Sequence, residues 1–438
     1  VRSGYIPFYR SWRGEEVAAA DLSVATIAAR VSTGFEALQS PRLVRVSLGE
    51  TVDATWEQPI EVVEGGESAI PLMVTNRRAA TITAILKETN GSGSVGKKLL
   101  LGPGQTTGVW LDLPDSISGG EWTFSLELAD GSHDVTLPVK HFSSGMLRVR
   151  VVDVEGQILP ARVYLTAVGR GSYAPKGVMS RIVLADRNQA APGECYFHTQ
   201  GVFELTLPAG EARIEVVRGM EYQPVETTVT VAADEVTEVE IKVTRRVHLA
   251  NEGWFSGDVH VHGNLFAQDT IGPREVLAAA KAEDLNVMNI LPCNDPGTTI
   301  ISDGHYFTGR PDAVSEEFHI VYYNEEMRND LYGHVGFLNL KTFVEPAYFG
   351  WPHSPHPYDF PGNYPQVAAA KAQGALVTYV HPGLPSEFPV DIALGLADMI
   401  DVMSQNDERA TMPMWYALLN CGFRCPASAG TDSFLNIP

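Results

Sequence analysis

The stretch PREVLAAAKAEDLNVMNIL, residues 273–291, decides the fold of this chain. Pro273 stands where a helix starts and an alanine-rich body follows. The unit closes on an apolar run that reads as a short buried strand. The same plan recurs in PQVAAAKAQGALVTYVHPG, residues 365–383, which shares the string AAAKA and places Gly374 as a helix cap before the strand. It recurs again in MPMWYALLNCGFRCPASAGTD, residues 412–432, with Gly422 in the capping place. Repeated helix–strand units predict a parallel sheet or barrel with helices outside, and active sites in such barrels gather at the C-terminal ends of the strands.

The pattern upstream differs. From residue 41 to 145, short alternating runs (LVRVSL, TITAIL, WTFSLEL, HDVTLPV) are separated by Gly, Pro and Asp turns, which predicts an all-β sandwich. A second β-sandwich is expected over 146–248, where Leu147, Val149 and Val151 alternate and TVTVAADEVTEVEIKV reads as a closing hairpin. Residues 1–40 are mixed, with alanine-rich spacing that supports a helix or two. The expected architecture is therefore multidomain: two N-terminal all-β sandwich domains followed by an α/β domain over 249–438.

Composition narrows the function classes. A chain of 438 residues with 44% hydrophobic and 19% charged content is large enough for several cores. A net charge of −21 excludes a phosphate-backbone partner as the default, so no nucleic acid is expected. No run of 18 apolar residues predicts a membrane span. The four cysteines, Cys195, Cys293, Cys421 and Cys425, form no CxxC pair and no disulfide framework. GSGSVGKK, residues 91–98, nearly matches a phosphate-binding loop, but Lys98 stands where Ser or Thr must ligate Mg, and the flanks read as two strands of a hairpin.

The chemistry-bearing residues follow the strands. In SGDVHVHG, His260 and His262 are i and i+2 on a strand, so both imidazoles point to one face. Two converging neutral imidazoles pack poorly but ligate a divalent metal well. The plain alternative is one buried, hydrogen-bonded histidine and one incidental neighbour. His381 lies just beyond VTYV, Asp432 just beyond PASAG, and VYYNEEMRNDLYGHVGFLNL supplies Glu325, Glu326 and His334. Asp258, ahead of the two histidines, is a candidate to orient an imidazole or a simple strand-edge carboxylate. His305, His353 and His356 sit in Gly/Pro/aromatic loops, which read either as a substrate entrance or as ordinary surface.

Taken in order, these motifs resemble those of the polymerase and histidinol phosphatase (PHP) superfamily of metallohydrolases. WFSGDVHVHGN, LYGHVGFLNL and WYALLNCGFRCPASAGTDSF are similar to its CehA/McbA-type branch, over residues 251–438. The run FELTLPAGEARIEVVRGMEY is similar to the carboxypeptidase-regulatory-like β-domain that commonly precedes this catalytic domain. The resemblance implies a distorted barrel of about seven βα units with two or three divalent ions, Zn, Mn or Fe, at the strand ends. It carries over His260 and His262 as first-motif ligands, Glu326 as the bridging carboxylate with Glu325 as fallback, and His334, His381 and Asp432 as later ligands. Asp258, His260, Glu326 and His381 are the residues it implies for catalysis. The second motif, an Asp-His pair in the family, is here LPCNDPG, with Asp295 nearest its place, and Phe434 stands where many relatives carry a further histidine.

The expected activity is hydrolysis of a small-molecule ester, carbamate or phosphoester by metal-activated water. The alternative is a non-catalytic binding or scaffold protein with a degenerate PHP domain. No separate protein nucleophile is evident, since no G-x-S-x-G elbow occurs. The chain opens on Val1 and stops six residues after Asp432, which reads as truncation at both ends and an incomplete barrel. Tandem β-sandwiches on an acidic chain favour a periplasmic or extracellular location over the cytoplasm.

Overall fold

The computed structural model describes residues 43–63, 69–88, 97–113, 117, 119–169, 171–175, 178, 180–183, 194–264, 271–292, 301, 303–329, 331–350, 356–382, 386–403 and 408–435. The N-terminal helical segment expected over 1–40 and the turn at 91–96 lie outside these residues, as do Cys293, Asp295 and His353. The chain is mostly β and divides into two compact units. One holds residues up to Val217 together with Pro224–Val243; the other holds Arg218–Gln223 and Thr244–Ile437.

In the first unit, alternation of apolar and polar residues builds paired sheets. A four-stranded sheet runs Val52–Thr55, Val44–Leu48, Ala69–Asn76 and Thr106–Asp112 in spatial order. A five-stranded sheet runs Ile60–Val63, Gly131–Phe142, Glu121–Leu128, Ile82–Glu88 and Lys97–Leu101. Val44, Val46, Leu72 and Val74 of the first meet Leu86, Trp122, Phe124 and Leu137 of the second in one core. The strands flanking residues 91–96 pair antiparallel, with Ile85 opposite Lys98.

The next β-block has a three-stranded sheet centred on Ser144–Val152 and a larger one centred on Ala161–Ala167. The hairpin expected in TVTVAADEVTEVEIKV does not form. Val225–Val231 pairs antiparallel with Gly210–Val217, whereas Val236–Lys242 crosses to pair parallel with Ser144–Val152. The crossing is locked where Gly145 meets the turn: a β-carbon there would stand 1.9 Å from the Ala232 carbonyl oxygen.

In the second unit, Ile320–Tyr323, Val287–Ile290, Gly257–His262 and Ser433–Phe434 form a parallel sheet. A six-stranded sheet runs Tyr348–Phe349, Glu325–Asn329, Val335–Leu338, Leu376–Tyr379, Met399–Met403 and Ala427–Ala429. Two continuous segments link the sheets. Residues 320–329 pair with Val287–Ile290 through their first half and with Val335–Leu338 through their second. Residues 427–434 likewise pair with Met399–Met403 and then with Gly257–His262. Hydrogen-bonded strands therefore follow one another round a ring. Helices Pro273–Ala282, Tyr364–Ala372, Phe388–Ala393 and Glu408–Asn420 lie between strands, and Gly374 and Gly422 adopt left-handed φ of 80° and 91° just past two of them, as a helix C-terminus favours.

The all-parallel expectation fails at one strand. Val335–Leu338 runs antiparallel to both its neighbours. Five residues separate it from Glu325–Asn329, too few for the helical crossover that a parallel return needs. Gly333, at φ 93°, takes the tight turn. The reversal brings the start of this strand, rather than its end, to the rim where Glu326 lies. Among the described residues no helix is long and apolar enough to cross a membrane.

Candidate metal centre

The strand Gly257–His262 carries the first two side chains. A register shift between Asp258 and Val261 marks a bulge, yet His260 and His262 still face the same side and are both fully buried. Their Nε2 atoms lie 3.0 Å apart. His262 Nδ1 lies 2.6 Å from the Leu291 carbonyl oxygen, to which it must donate, so its Nε2 presents a lone pair. Two ring nitrogens that close need a proton or a cation between them.

Residues from distant elements converge on this pair. Asp432 Oδ1 is 3.0 Å from His262 Nε2 and 3.3 Å from His260 Nε2. Glu326 Oε2 is 3.4 Å from His262 Nε2, while its Oε1 lies 3.8 Å from His260 Nε2 and 3.5 Å from His381 Nε2. His334 Nδ1 lies 2.9 Å from Glu326 Oε1, because the antiparallel register sets Met327 opposite Val335. All six side chains that the motifs single out as ligands, His260, His262, Glu326, His334, His381 and Asp432, thus meet in one cluster. Two overlapping triads, His260/His262/Asp432 and His260/Glu326/His381, have donor atoms mutually close enough to hold a metal ion.

Neighbouring groups hold the cluster in place. Arg328, two residues along the strand and on the same face as Glu326, donates from Nε to Glu326 Oε2 at 2.8 Å and forms an ion pair with it through Nη2 at 2.7 Å. His381 and Asp432 both occupy left-handed backbone, at φ 32° and 51°. That conformation costs roughly 1–3 kcal/mol for a non-glycine residue and persists only where surroundings enforce it. Two residues before His381, the Tyr379 hydroxyl donates to buried Asp391 at 2.6 Å and accepts from Asn363 at 3.2 Å, which anchors the end of that strand. Asp258 contacts no imidazole. Its Oδ1 accepts the His260 and Thr431 backbone N–H groups at 3.0 and 3.1 Å, and its Oδ2 accepts the Thr431 hydroxyl at 2.7 Å. It therefore splices the segments that carry His260 and Asp432 through backbone instead of orienting a ring.

The two adjacent glutamates point opposite ways, as alternation along a strand requires. Glu325 lies on the far side, where it accepts the Val344 N–H at 2.8 Å. Burial pushes its carboxyl up to about 8. Glu326 is buried as deeply, but Arg328 and His260 overcome that burial and hold it well below the usual carboxylate range. Burial likewise opposes a charge on His260, yet Asp432 and Glu326 prevail and raise it to about 9. Burial lowers His334 to about 4. Glu326 and Asp432 are both held below the usual carboxylate range, and His260 is favoured in its charged form, so the cluster concentrates negative charge that a divalent cation would offset.

One carboxylate escaped the motif reading. Asp401, fully buried on Met399–Met403, accepts the Ser428 hydroxyl at 2.6 Å, and burial raises it to about 6. An aspartate inside the apolar run MIDVM is the signal that could have found it. His305 and His356 are exposed and stand outside the cluster. Phe434 stacks on His262 with ring centroids 5.0 Å apart.

No family model matches the chain, and no curated protein matches it. Among solved structures, the chain is similar to the minor pilin GBS52 of Streptococcus agalactiae at 12% identity, over 47% of this chain and 96% of that one, with a TM-score of 0.19. It is similar to the major pilin subunit BcpA of Bacillus cereus at 11% identity, over 44% and 75%, with a TM-score of 0.18. Phospholipase PlaB of Legionella pneumophila matches at 16% identity over 30% of each chain, with a TM-score of 0.15. Likenesses of this size assign neither fold family nor activity.

Proposed function

We propose that this chain is a metal-dependent hydrolase of the PHP superfamily, of the CehA/McbA type, acting on an ester, carbamate or phosphoester bond. The supporting observation is convergence: four histidines and two carboxylates, separated by up to 172 residues in sequence, share one buried cluster. The ring of strands with intervening helices supports reading the second unit as the distorted barrel of that superfamily. Mixed nitrogen and oxygen donors suit Zn, Mn or Fe, and the two overlapping triads support a two-ion centre. A divalent cation held there lowers the pKa of water from about 15.7 toward about 7 and polarises a carbonyl or phosphoryl oxygen.

The chain's own residues supply the rest. Leu291 fixes the His262 tautomer that offers Nε2. Arg328 holds Glu326 so that Oε1 faces His334 and His381. His381, the least buried of the four histidines at 8% exposure, completes the second triad from the strand end with His260 and Glu326. The acidic, β-rich chain supports a periplasmic or extracellular setting.

Metal analysis of purified protein tests the proposal. Near-stoichiometric transition metal is expected in the native chain, lost in His260→Ala, together with turnover of at least one member of an ester, carbamate and phosphoester panel. A native chain that takes up no metal from supplemented medium refutes it and supports the second reading, a scaffold with a degenerate site. Phe434, stacked on His262 where many PHP relatives carry histidine, is the observation that favours that alternative.

A further inference from the structure

His260 and His262 face the same requirement. A ring that offers its Nε2 lone pair to a cation must carry its proton on Nδ1, and a buried N–H needs an acceptor. His262 has one in the Leu291 carbonyl, at 2.6 Å. His260 is fully buried and its Nδ1 has no partner among the described residues. Asp258 cannot serve, since both its oxygens are engaged by the His260 backbone N–H and by Thr431.

Asp401 has the complementary deficit. Its Oδ1 accepts the Ser428 hydroxyl at 2.6 Å, and Ser428 in turn is 2.9 Å from the Thr378 hydroxyl, so the carboxylate is held from one side. Its Oδ2 is buried and has no hydrogen-bond partner among the described residues. Gly430 lies between the two groups. A β-carbon at Gly430 would stand 3.0 Å from Asp401 Oδ2 and 2.4 Å from His260 Cβ, so both residues close on this one position and only a bare α-carbon leaves room there.

We propose that Asp401 is the positioning residue of His260: its Oδ2 accepts the His260 Nδ1–H when Nε2 takes up a cation, across the gap that Gly430 leaves. The pairing fixes the tautomer and plane of the ring and raises its basicity as a ligand, as a carbonyl does for His262. Asp401 thereby joins the centre without touching the ion. This inference rests on the metal-centre proposal and adds a residue that none of the motifs contains.

The test uses the full chain freed of metal, with Zn(II) affinity read by competition against a chromophoric chelator. Asp401→Asn is expected to bind Zn(II) about 10- to 100-fold more weakly, whereas Ser428→Ala, which removes the carboxylate's other contact, stays within a few-fold of the native chain. In the Co(II)-loaded protein, two slowly exchanging, hyperfine-shifted Nδ1–H resonances are expected, from His260 and His262, and Asp401→Asn loses the first alone. Native affinity in Asp401→Asn with both resonances retained overturns the inference and leaves the metal centre standing; a native chain that binds no Zn(II) overturns both. Should Asp401→Asn fail to fold, the native Co(II) spectrum decides. A slowly exchanging His260 Nδ1–H supports the pairing, and exchange as fast as that of a surface histidine overturns it.

Discussion

Replacing Glu325 and Glu326 separately by glutamine should give opposite results, although the two are neighbours and equally buried. Glu325 has a carboxyl raised from an ordinary 4.5 to about 8 by burial, with the Val344 N–H as its stabilising contact. An acid whose folded pKa is raised loses stability as pH climbs from its unfolded value through its folded one. Each tenfold change in proton affinity is worth about 1.36 kcal/mol, so ionising Glu325 costs the folded state up to about 5 kcal/mol above pH 8 and nothing below pH 4.5. Glutamine mimics the neutral acid. In metal-free protein, Glu325→Gln should therefore match the native chain near pH 4.5 and exceed it by roughly 2–5 kcal/mol at pH 9, with Zn(II) uptake unchanged. Urea unfolding followed at several pH values, together with metal titration, reads both effects. Glu326→Gln leaves Arg328 buried without its carboxylate and should lose metal. A Glu325→Gln chain that is less stable at pH 9, or that fails to bind metal, would refute the assignment of the two faces.

Two further substitutions probe the frame around the site. Asp284, at φ 54°, accepts from Arg218 at 2.8 Å and from Arg245 at 3.0 Å, and the two guanidiniums lie over Tyr222 at 5.1 and 4.3 Å. Asp284→Ala leaves the buried Arg218 guanidinium without its carboxylate, while Arg245 keeps Glu221, and should cost about 3 kcal/mol in denaturant unfolding, with Asp284→Asn milder because asparagine tolerates that backbone. Gly430→Ala drives a methyl group to 2.4 Å from His260 Cβ. Overpacking of about 1–3 kcal/mol is expected, with Zn(II) affinity down by an order of magnitude or more in a chelator competition.

Much of the site was legible along the chain because its signals are local. The i, i+2 spacing of His260 and His262 places both rings on one face of any strand, and His381 and Asp432 announce themselves as polar residues directly beyond apolar runs. Helix starts at Pro273 and Pro365 and the left-handed caps at Gly374 and Gly422 are likewise set by backbone chemistry that a few residues carry. Where the reading failed, partner choice was at stake. TVTV and EVEI alternate like a hairpin, yet each strand found a different sheet, because alternation states which face is buried but not which neighbour supplies the hydrogen bonds.

By itself, then, the sequence determined the succession of β-rich and helix–strand segments and the supply of imidazoles and carboxylates, since periodicity and capping act over a few residues. Tertiary structure decided the rest. It reversed Val335–Leu338, turned Glu326 inward and Glu325 away, set Arg328 against Glu326, and brought Asp401 and His260 to opposite contacts of Gly430. Each of these depends on register and packing between segments far apart in the chain, and short-range spacing holds no record of such contacts.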